Sequence, residues 1–531
     1  MTFRTRSVWA GLFGLTCHMV SLTAGADLRL VEAARKQDAV AARALLAQGV
    51  DVNTASPDGT TALHWSVYWN QGDVTGLLIK AGARVNTANE LGVAPLSLAC
   101  TNGTAEMVEQ LLAAGANPNA ALPSGESALT TAARTGSVDI VKRLAAHGAD
   151  VNAKSARDQT ALMWAVASEH PEVVRVLVEL GADIKARSAV RPQRVALRGA
   201  GDHKGDHTPM EQLGGYTPLL FAARAGSLDS ARVLIEAGAD VNEAAPNGTS
   251  ALVVSAHSGH GTLAAFLLER GADANAAGAG YTALHAAVLR GDRALVKVLL
   301  ARGADPNAVL KNGTRGRYFS ADYAFNANVV GATPYWLAAR YAEPEMMQML
   351  AASGADPRRV IVDRNNPLHA VLGGTSALSS SDRRERYLTP TELAAVSPEN
   401  EERLTLEAAT VAVALGADVN APNKHGDTAL HVATLRWDAS VVQFLIEKGG
   451  DVNARNADGE TPLHNAAYLG KRTAIKMLVN RGADLAATNK KGETALGKTA
   501  IRVRAVAVGV FVSDDELNAT AELLRELGAT R

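Results

Sequence analysis

The chain has 531 residues, in which 53 lysines and arginines nearly balance 54 aspartates and glutamates. A formal charge of −1 leaves no net field to recruit nucleic acid or an anionic membrane, so partners have to be recognised locally. Aromatic residues make up only 4% while alanine and leucine are abundant, which favours helices packed through small side chains over a β-sandwich or a large enzyme core.

The first 26 residues stand apart. Arg4 and Arg6 precede an apolar run from Val8 to Val20, followed by Ala24-Gly25-Ala26. This is the layout of a signal peptide cleaved after Ala26. The run, about 13 residues, is too short at 1.5 Å per residue for a ~30 Å hydrocarbon layer. Cleavage would remove Cys17 and leave Cys100 as the one thiol, which excludes an intramolecular disulfide. It would also leave 51 basic against 54 acidic side chains. No later stretch holds 18 consecutive apolar residues, so no membrane span is expected in the mature chain.

From Asp27 onward the chain is periodic. Gly49, Gly82, Gly115, Gly148 and Gly181 fall 33 residues apart, and the series resumes at Gly238, Gly271 and Gly303 and again at Gly416, Gly449 and Gly482. A second anchor keeps the same phase: Thr61-Ala62-Leu63-His64, Thr217-Pro218-Leu219, Thr282-Ala283-Leu284-His285, Asn366-Pro367-Leu368-His369, Thr428-Ala429-Leu430-His431 and Thr461-Pro462-Leu463-His464. The Thr or Asn supplies an N-cap oxygen, Pro suits the first helical position, and Leu points inward. Pairs such as Leu77-Leu78 and Leu299-Leu300 mark a second helix, which ends at a Gly able to adopt the left-handed conformation. Asp58-Gly59, Asn247-Gly248 and Asp458-Gly459 close a short finger before the next cap. The unit is finger, helix, turn, helix. Thirteen such helix pairs are expected, the last opened by Ser513 and Glu516 as a capping box. Ala94 cannot cap its helix, and Asn70 and Glu169 replace the glycine between helices.

Three intervals exceed the period, at 57, 51 and 62 residues, by 24, 18 and 29. Residues 27–185 therefore read as repeats with an N-terminal cap and 186–215 as a lengthened finger carrying Arg187, Arg191, Arg194 and Arg198, a solvated basic loop. Residues 216–307 are again repeats, and 308–331 are a lengthened finger carrying Tyr318, Phe319, Tyr323 and Phe325, which suit an exposed hot spot for a partner or a small satellite core. Residues 332–369 are a repeat and the start of the next, 370–403 an insertion with a helix start at Ser397-Pro398-Glu399, and 404–531 repeats with a C-terminal cap.

This unit length and the Thr-Pro-Leu-His signature resemble the ankyrin repeat family. The resemblance implies an all-α solenoid of stacked helix-turn-helix units with short β-turn fingers and capping repeats, in which His64, His285, His369, His431 and His464 make structural hydrogen bonds. It further implies a protein partner held by finger tips and inner helices near the seventh and eighth positions after the cap. Those positions are Tyr68, Trp69, Arg134, Arg224, His257, Arg290, Arg340, Tyr341, Arg436 and Tyr468, a basic and aromatic ladder. Arginine at a helix C-terminus is also favoured by the helix dipole alone.

No standard hydrolase, metalloprotease, phosphate-loop or dinucleotide motif is present, so no catalytic residue, metal or cofactor is expected. The leading expectation is a monomeric, exported bacterial scaffold, periplasmic or secreted, that binds protein and not nucleic acid. One alternative is a metal-dependent hydrolase or redox accessory on the loop of His203 and His207. The other is a purely structural spacer in an envelope complex.

Overall fold

The computed structural model describes residues 27–194, 196–197, 210–312, 315–316, 325, 329–361, 364–373, 398–437, 439–500 and 512–530. The chain divides into two compact units, the first comprising residues up to Ala156 together with Glu179–Ala182, the second Arg157–Val178 and Asp183–Arg531.

The first unit holds four helix pairs: α1 (Arg29–Arg35) with α2 (Ala39–Ala47), α3 (Ala62–Tyr68) with α4 (Gly72–Lys80), α5 (Pro95–Asn102) with α6 (Ala105–Ala113), and α7 (Ala128–Thr135) with α8 (Val138–Ala146). The odd-numbered, inner helices pack on one another in sequence, and the even-numbered, outer helices do likewise. Each inner helix is short because a cap begins it and a tight turn ends it. Ser127 Oγ accepts the Thr130 N–H, and Gly136 closes α7 at φ 82°. Ala94 gives α5 no side-chain cap, which leaves Pro95 at the first helical position to define the start.

The second unit holds nine pairs among its described residues. In order they are α9 (Ala161–Ala167) and α10 (Pro171–Glu179), α11 (Pro218–Ala225) and α12 (Leu228–Glu236), α13 (Ala251–Ser258) and α14 (Gly261–Glu269), α15 (Ala283–Arg290) and α16 (Arg293–Ala301), and α17 (Pro334–Arg340) and α18 (Pro344–Ala352). They continue with α19 (Pro367–Leu372) and α20 (Pro398–Ala414), α21 (Ala429–Arg436) and α22 (Ser440–Glu447), α23 (Pro462–Tyr468) and α24 (Arg472–Asn480), and α25 (Ala495–Lys498) and α26 (Asp514–Glu526). Inner helices from α9 to α25 stack in order. The core between them is alanine, leucine and valine, so each apolar face that one pair cannot bury alone is covered by the next.

Two side-chain ladders stitch consecutive repeats. The first is built from asparagines. In the first unit Asn53, Asn86 and Asn119 donate through Nδ2 to the carbonyl oxygens of Gly82, Gly115 and Gly148. In the second unit Asn242, Asn275, Asn307, Asn420 and Asn453 donate to Gly271, Gly303, Gly354, Gly449 and Gly482. The Oδ1 of the same side chains accepts the N–H two residues beyond that glycine, as Asn275 does from Asp305 at 2.7 Å. Each asparagine thus satisfies one helix-end carbonyl and one loop N–H of the following repeat. Lys185 and Arg358 occupy the equivalent positions before the long interval of the first finger and before the interrupted repeat.

At the second long interval the stitching is kept. Asn307 reaches Gly354 across 47 residues, where its neighbours Asn275 and Asn242 reach across 28 and 29. The bases of the two long fingers close by paired backbone bonds, Ser188 N–H to Tyr216 O and Leu310 N–H to Ala332 O. Arg187 is exposed, as expected of the basic loop, but not free of the fold. Its Nη1 donates to the Gly215 and Ala244 carbonyls at 2.8 and 3.1 Å and fastens the first finger to the next.

Two small antiparallel pairings add to the all-α expectation. Strand β1 (Val190–Arg194) pairs with β3 (Met210–Gly214), and β2 (Ala196–Leu197) pairs with β4 (Arg315–Gly316), joining the two lengthened fingers. In the third long interval, α20 runs 17 residues, and Glu402 on it accepts the Ser440 N–H at 3.1 Å, satisfying the start of α22. The C-terminal capping box forms as expected, with Glu516 Oε2 accepting the Ser513 N–H and Ser513 Oγ accepting the Glu516 N–H.

Candidate partner-binding surface

In the first unit Tyr68 is the last residue of α3 and Trp69 follows it. With Trp65 they form a chain of edge-to-face rings, 5.9 Å between the centroids of Trp65 and Tyr68 and 4.8 Å between those of Tyr68 and Trp69. Trp69 is 41% exposed, and its indole N–H donates to the Arg35 carbonyl oxygen at 3.1 Å. The polar edge of the ring is therefore held by the stack while much of its apolar surface faces solvent. Tyr68 also lines a shallow groove with Leu98, Asn102, Leu122, Glu126 and Arg134. Arg134 pairs with Glu126 at 3.0 Å, both half-buried, so the two charges that line the groove balance one another beside the Tyr68 ring. Trp65 and Glu126 were not among the expected site residues, because each acquires its place only through a neighbour on another turn or another repeat.

In the second unit the expected solvent-facing ladder needs correction at several positions. Arg290 Nε donates to the His257 carbonyl oxygen at 2.6 Å. Arg436 reaches the Gly373 carbonyl at 3.5 Å, and burial draws its pKa down while Glu401 opposes that shift. Arg340 is only 5% exposed, its guanidinium 5.9 Å from the Trp336 ring. Tyr341 is half-buried behind α17, and Tyr468, also half-buried, packs on Leu469, Val512 and Leu517 with Lys498 Nζ 5.3 Å from its ring. Arg224 alone among these arginines is exposed. The physical reason is the helix terminus itself: a cation one repeat along satisfies the carbonyls left open at the preceding inner helix.

In the aromatic finger, Phe325 takes the satellite-core alternative and not the exposed one. Phe325 is 1% exposed, with its centroid 5.1 Å from that of Tyr281 and 6.4 Å from those of His257 and His285. It folds back onto α13 and α15 as a satellite core, where burial of a phenylalanine contributes roughly 1.5–3 kcal/mol. Tyr318, Phe319 and Tyr323 lie outside the described residues, as do His203 and His207. Among the described residues no group of three or more His, Cys, Asp or Glu is placed to hold a metal ion.

The signature histidines are structural. His64 Nδ1 accepts the Thr61 N–H at 3.1 Å, and its Nε2–H donates to the Val93 carbonyl of the next finger at 3.1 Å. His285, His431 and His464 repeat this with Ala332, Glu460 and Glu493. All four are held below the ordinary histidine range by burial, His285 down to about 4. Cys100 is buried, and desolvation pushes its thiol up to about 12, which makes it inert at neutral pH.

Stacked helix pairs joined by short fingers and stitched by side-chain ladders define a helical-repeat protein. A family model described as Ankyrin repeats (3 copies) matches residues 19–89, 96–188, 219–309, 401–489 and 438–508. The chain belongs to the ankyrin repeat family, whose members are generally protein-binding scaffolds and usually non-catalytic. No curated protein matches the chain. No helix among the described residues is long and apolar enough to cross a membrane.

Proposed function

We propose that the protein is an exported scaffold that holds a protein partner against the ends of inner helices α3, α5 and α7. The observation that carries the reading is the Trp65–Tyr68–Trp69 cluster, in which two half-buried rings support the exposed Trp69 beside a groove, in a chain otherwise poor in aromatics. Such rings contribute large contact area at little conformational cost, which is why they concentrate at binding hot spots. Arg224 offers a second contact point on the inner face of the second unit. Export rests on Arg4, Arg6, the apolar run from Val8 to Val20 and Ala24-Gly25-Ala26, and a bacterial periplasm or exterior is the compartment we assign.

The test is capture from envelope extract by immobilised residues 27–531, beside the double variant Tyr68→Ala, Trp69→Ala. One protein retained by the parent and lost from the folded variant supports the assignment. Equal retention by both removes it. N-terminal sequencing of the exported protein should begin at Asp27.

A further inference from the structure

Five inner helices carry a histidine three residues after the cap, and four of those caps are threonine. In these four the cap N–H points at Nδ1, at 3.1 to 3.3 Å, and a carbonyl oxygen faces Nε2. One neutral imidazole, with its proton on Nε2, satisfies both contacts. The threonine Oγ1, 2.8–2.9 Å from the same Nδ1, can donate its proton there, and a second proton on Nδ1 would forfeit that donation and face the cap N–H.

His369, at the start of α19, is built differently because its cap is Asn366. The Asn366 Oδ1 accepts the His369 backbone N–H at 2.9 Å, which fixes the orientation of the amide. The same Oδ1 lies 2.8 Å from His369 Nδ1, and the Asp427 carbonyl oxygen lies 2.9 Å from Nε2. Both ring nitrogens therefore face acceptors. A neutral ring has one N–H and leaves the other contact as lone pair against lone pair, whereas the imidazolium donates to both.

We propose that His369 is a proton-responsive joint between α19 and the following finger, one that keeps its proton to higher pH than the four threonine-capped histidines. Acid then tightens this joint while it loosens the other four. The joint lies at the interrupted repeat: the bond to Asp427 spans 58 residues, against 29 for His64, His431 and His464, so the insertion leaves from the turn just beyond it. The titratable groups acting on His369 are Asp427 on the finger, which favours the proton, and His431 on α21, which disfavours it. Burial disfavours it too and is the largest effect, as it is for each of the four siblings. What distinguishes His369 is a cap oxygen beside Nδ1 that can only accept, where the threonine hydroxyl of its siblings can also donate.

The test follows the ring Cε1–H signals by NMR against pH in residues 27–531 labelled at histidine, with His369→Gln and His431→Gln assigning the two peaks. The expected result is a midpoint for His369 about one pH unit or more above that of His431, a tenfold difference in proton affinity. Asn366→Thr, which restores the cap of the other repeats, should bring His369 down to its siblings, and Thr428→Asn should raise His431. Coincident midpoints in the parent, or a His369 midpoint unmoved by Asn366→Thr, would overturn the proposal.

Discussion

The indole N–H of Trp336 donates to the Asn365 carbonyl oxygen at 3.0 Å, 29 residues further along the chain. His64 makes the same bond to Val93 across the same 29 residues. A tryptophan thus replaces the signature histidine of its repeat and keeps the inter-repeat hydrogen bond. Trp336→Phe retains most of the apolar bulk and removes the donor, leaving the Asn365 carbonyl with the Ile361 N–H alone. We expect a loss of about 0.5–1.5 kcal/mol, read as a lower urea midpoint. An unchanged midpoint would mean that the bond carries none of the coupling between α17 and the next finger.

The threonine-capped histidines predict a direction for pH dependence. Their folded pKa values lie below the unfolded value near 6.5 because burial disfavours the charged ring. Between that value and the folded one the unfolded chain binds protons that the native chain does not, so stability is fully present above pH 6.5 and falls as pH drops. For His285 the window runs from 6.5 down to about 4. Urea midpoints measured across this range should fall with acid, and His285→Gln should flatten the slope. A midpoint that rises on acidification would contradict this account.

Glycine is absent from several left-handed turns. Ala342 has φ 52°, Glu169 φ 61° and Asn70 φ 55°, where Gly136, Gly226 and Gly291 serve other repeats. A side chain there costs roughly 1–2 kcal/mol, offset in part by the greater freedom of glycine when unfolded. Ala342→Gly should therefore raise stability by about 0.5–1 kcal/mol, and Gly291→Ala should lower it by a similar amount or more. Thermal unfolding of both variants checks the pair. A destabilised Ala342→Gly would show that the strain lies elsewhere.

The asparagine ladder predicts opposite effects at two positions. Asn275→Ala removes a 2.9 Å bond to Gly303 and a 2.7 Å bond from Asp305, at a cost of about 1–2 kcal/mol. Arg358→Asn should instead add a clamp toward the repeat that ends at Gly416. Hydrogen exchange at the turns that follow reports each effect locally, with protection lost in the first and gained in the second.

Much of the repeat was legible in the sequence because its signals are local. Caps such as Ser127, closing glycines such as Gly136 and the Ser513–Glu516 box act within four residues of one another. The asparagine ladder was equally periodic, at Asn53, Asn86 and Asn119, yet its meaning depends on a carbonyl 29 residues away. Trp336 escaped notice because the replacement is chemical rather than literal. The inward turn of Arg290 and Arg340 and the burial of Phe325 depend on which repeat lies alongside, and that is set by packing rather than by spacing. Of the expected surface, Tyr68 and Trp69 remain the clearest candidates, because the Trp69 ring is exposed with its N–H held and the half-buried Tyr68 packs edge-to-face on it.

The most direct measurement is hydrogen exchange on residues 27–531 with and without the captured partner. The account predicts new protection at the ends of α3, α5 and α7, centred on Tyr68, Trp69 and Arg134. Protection confined to the outer helices α4, α6 and α8, with those inner ends unchanged, would contradict it.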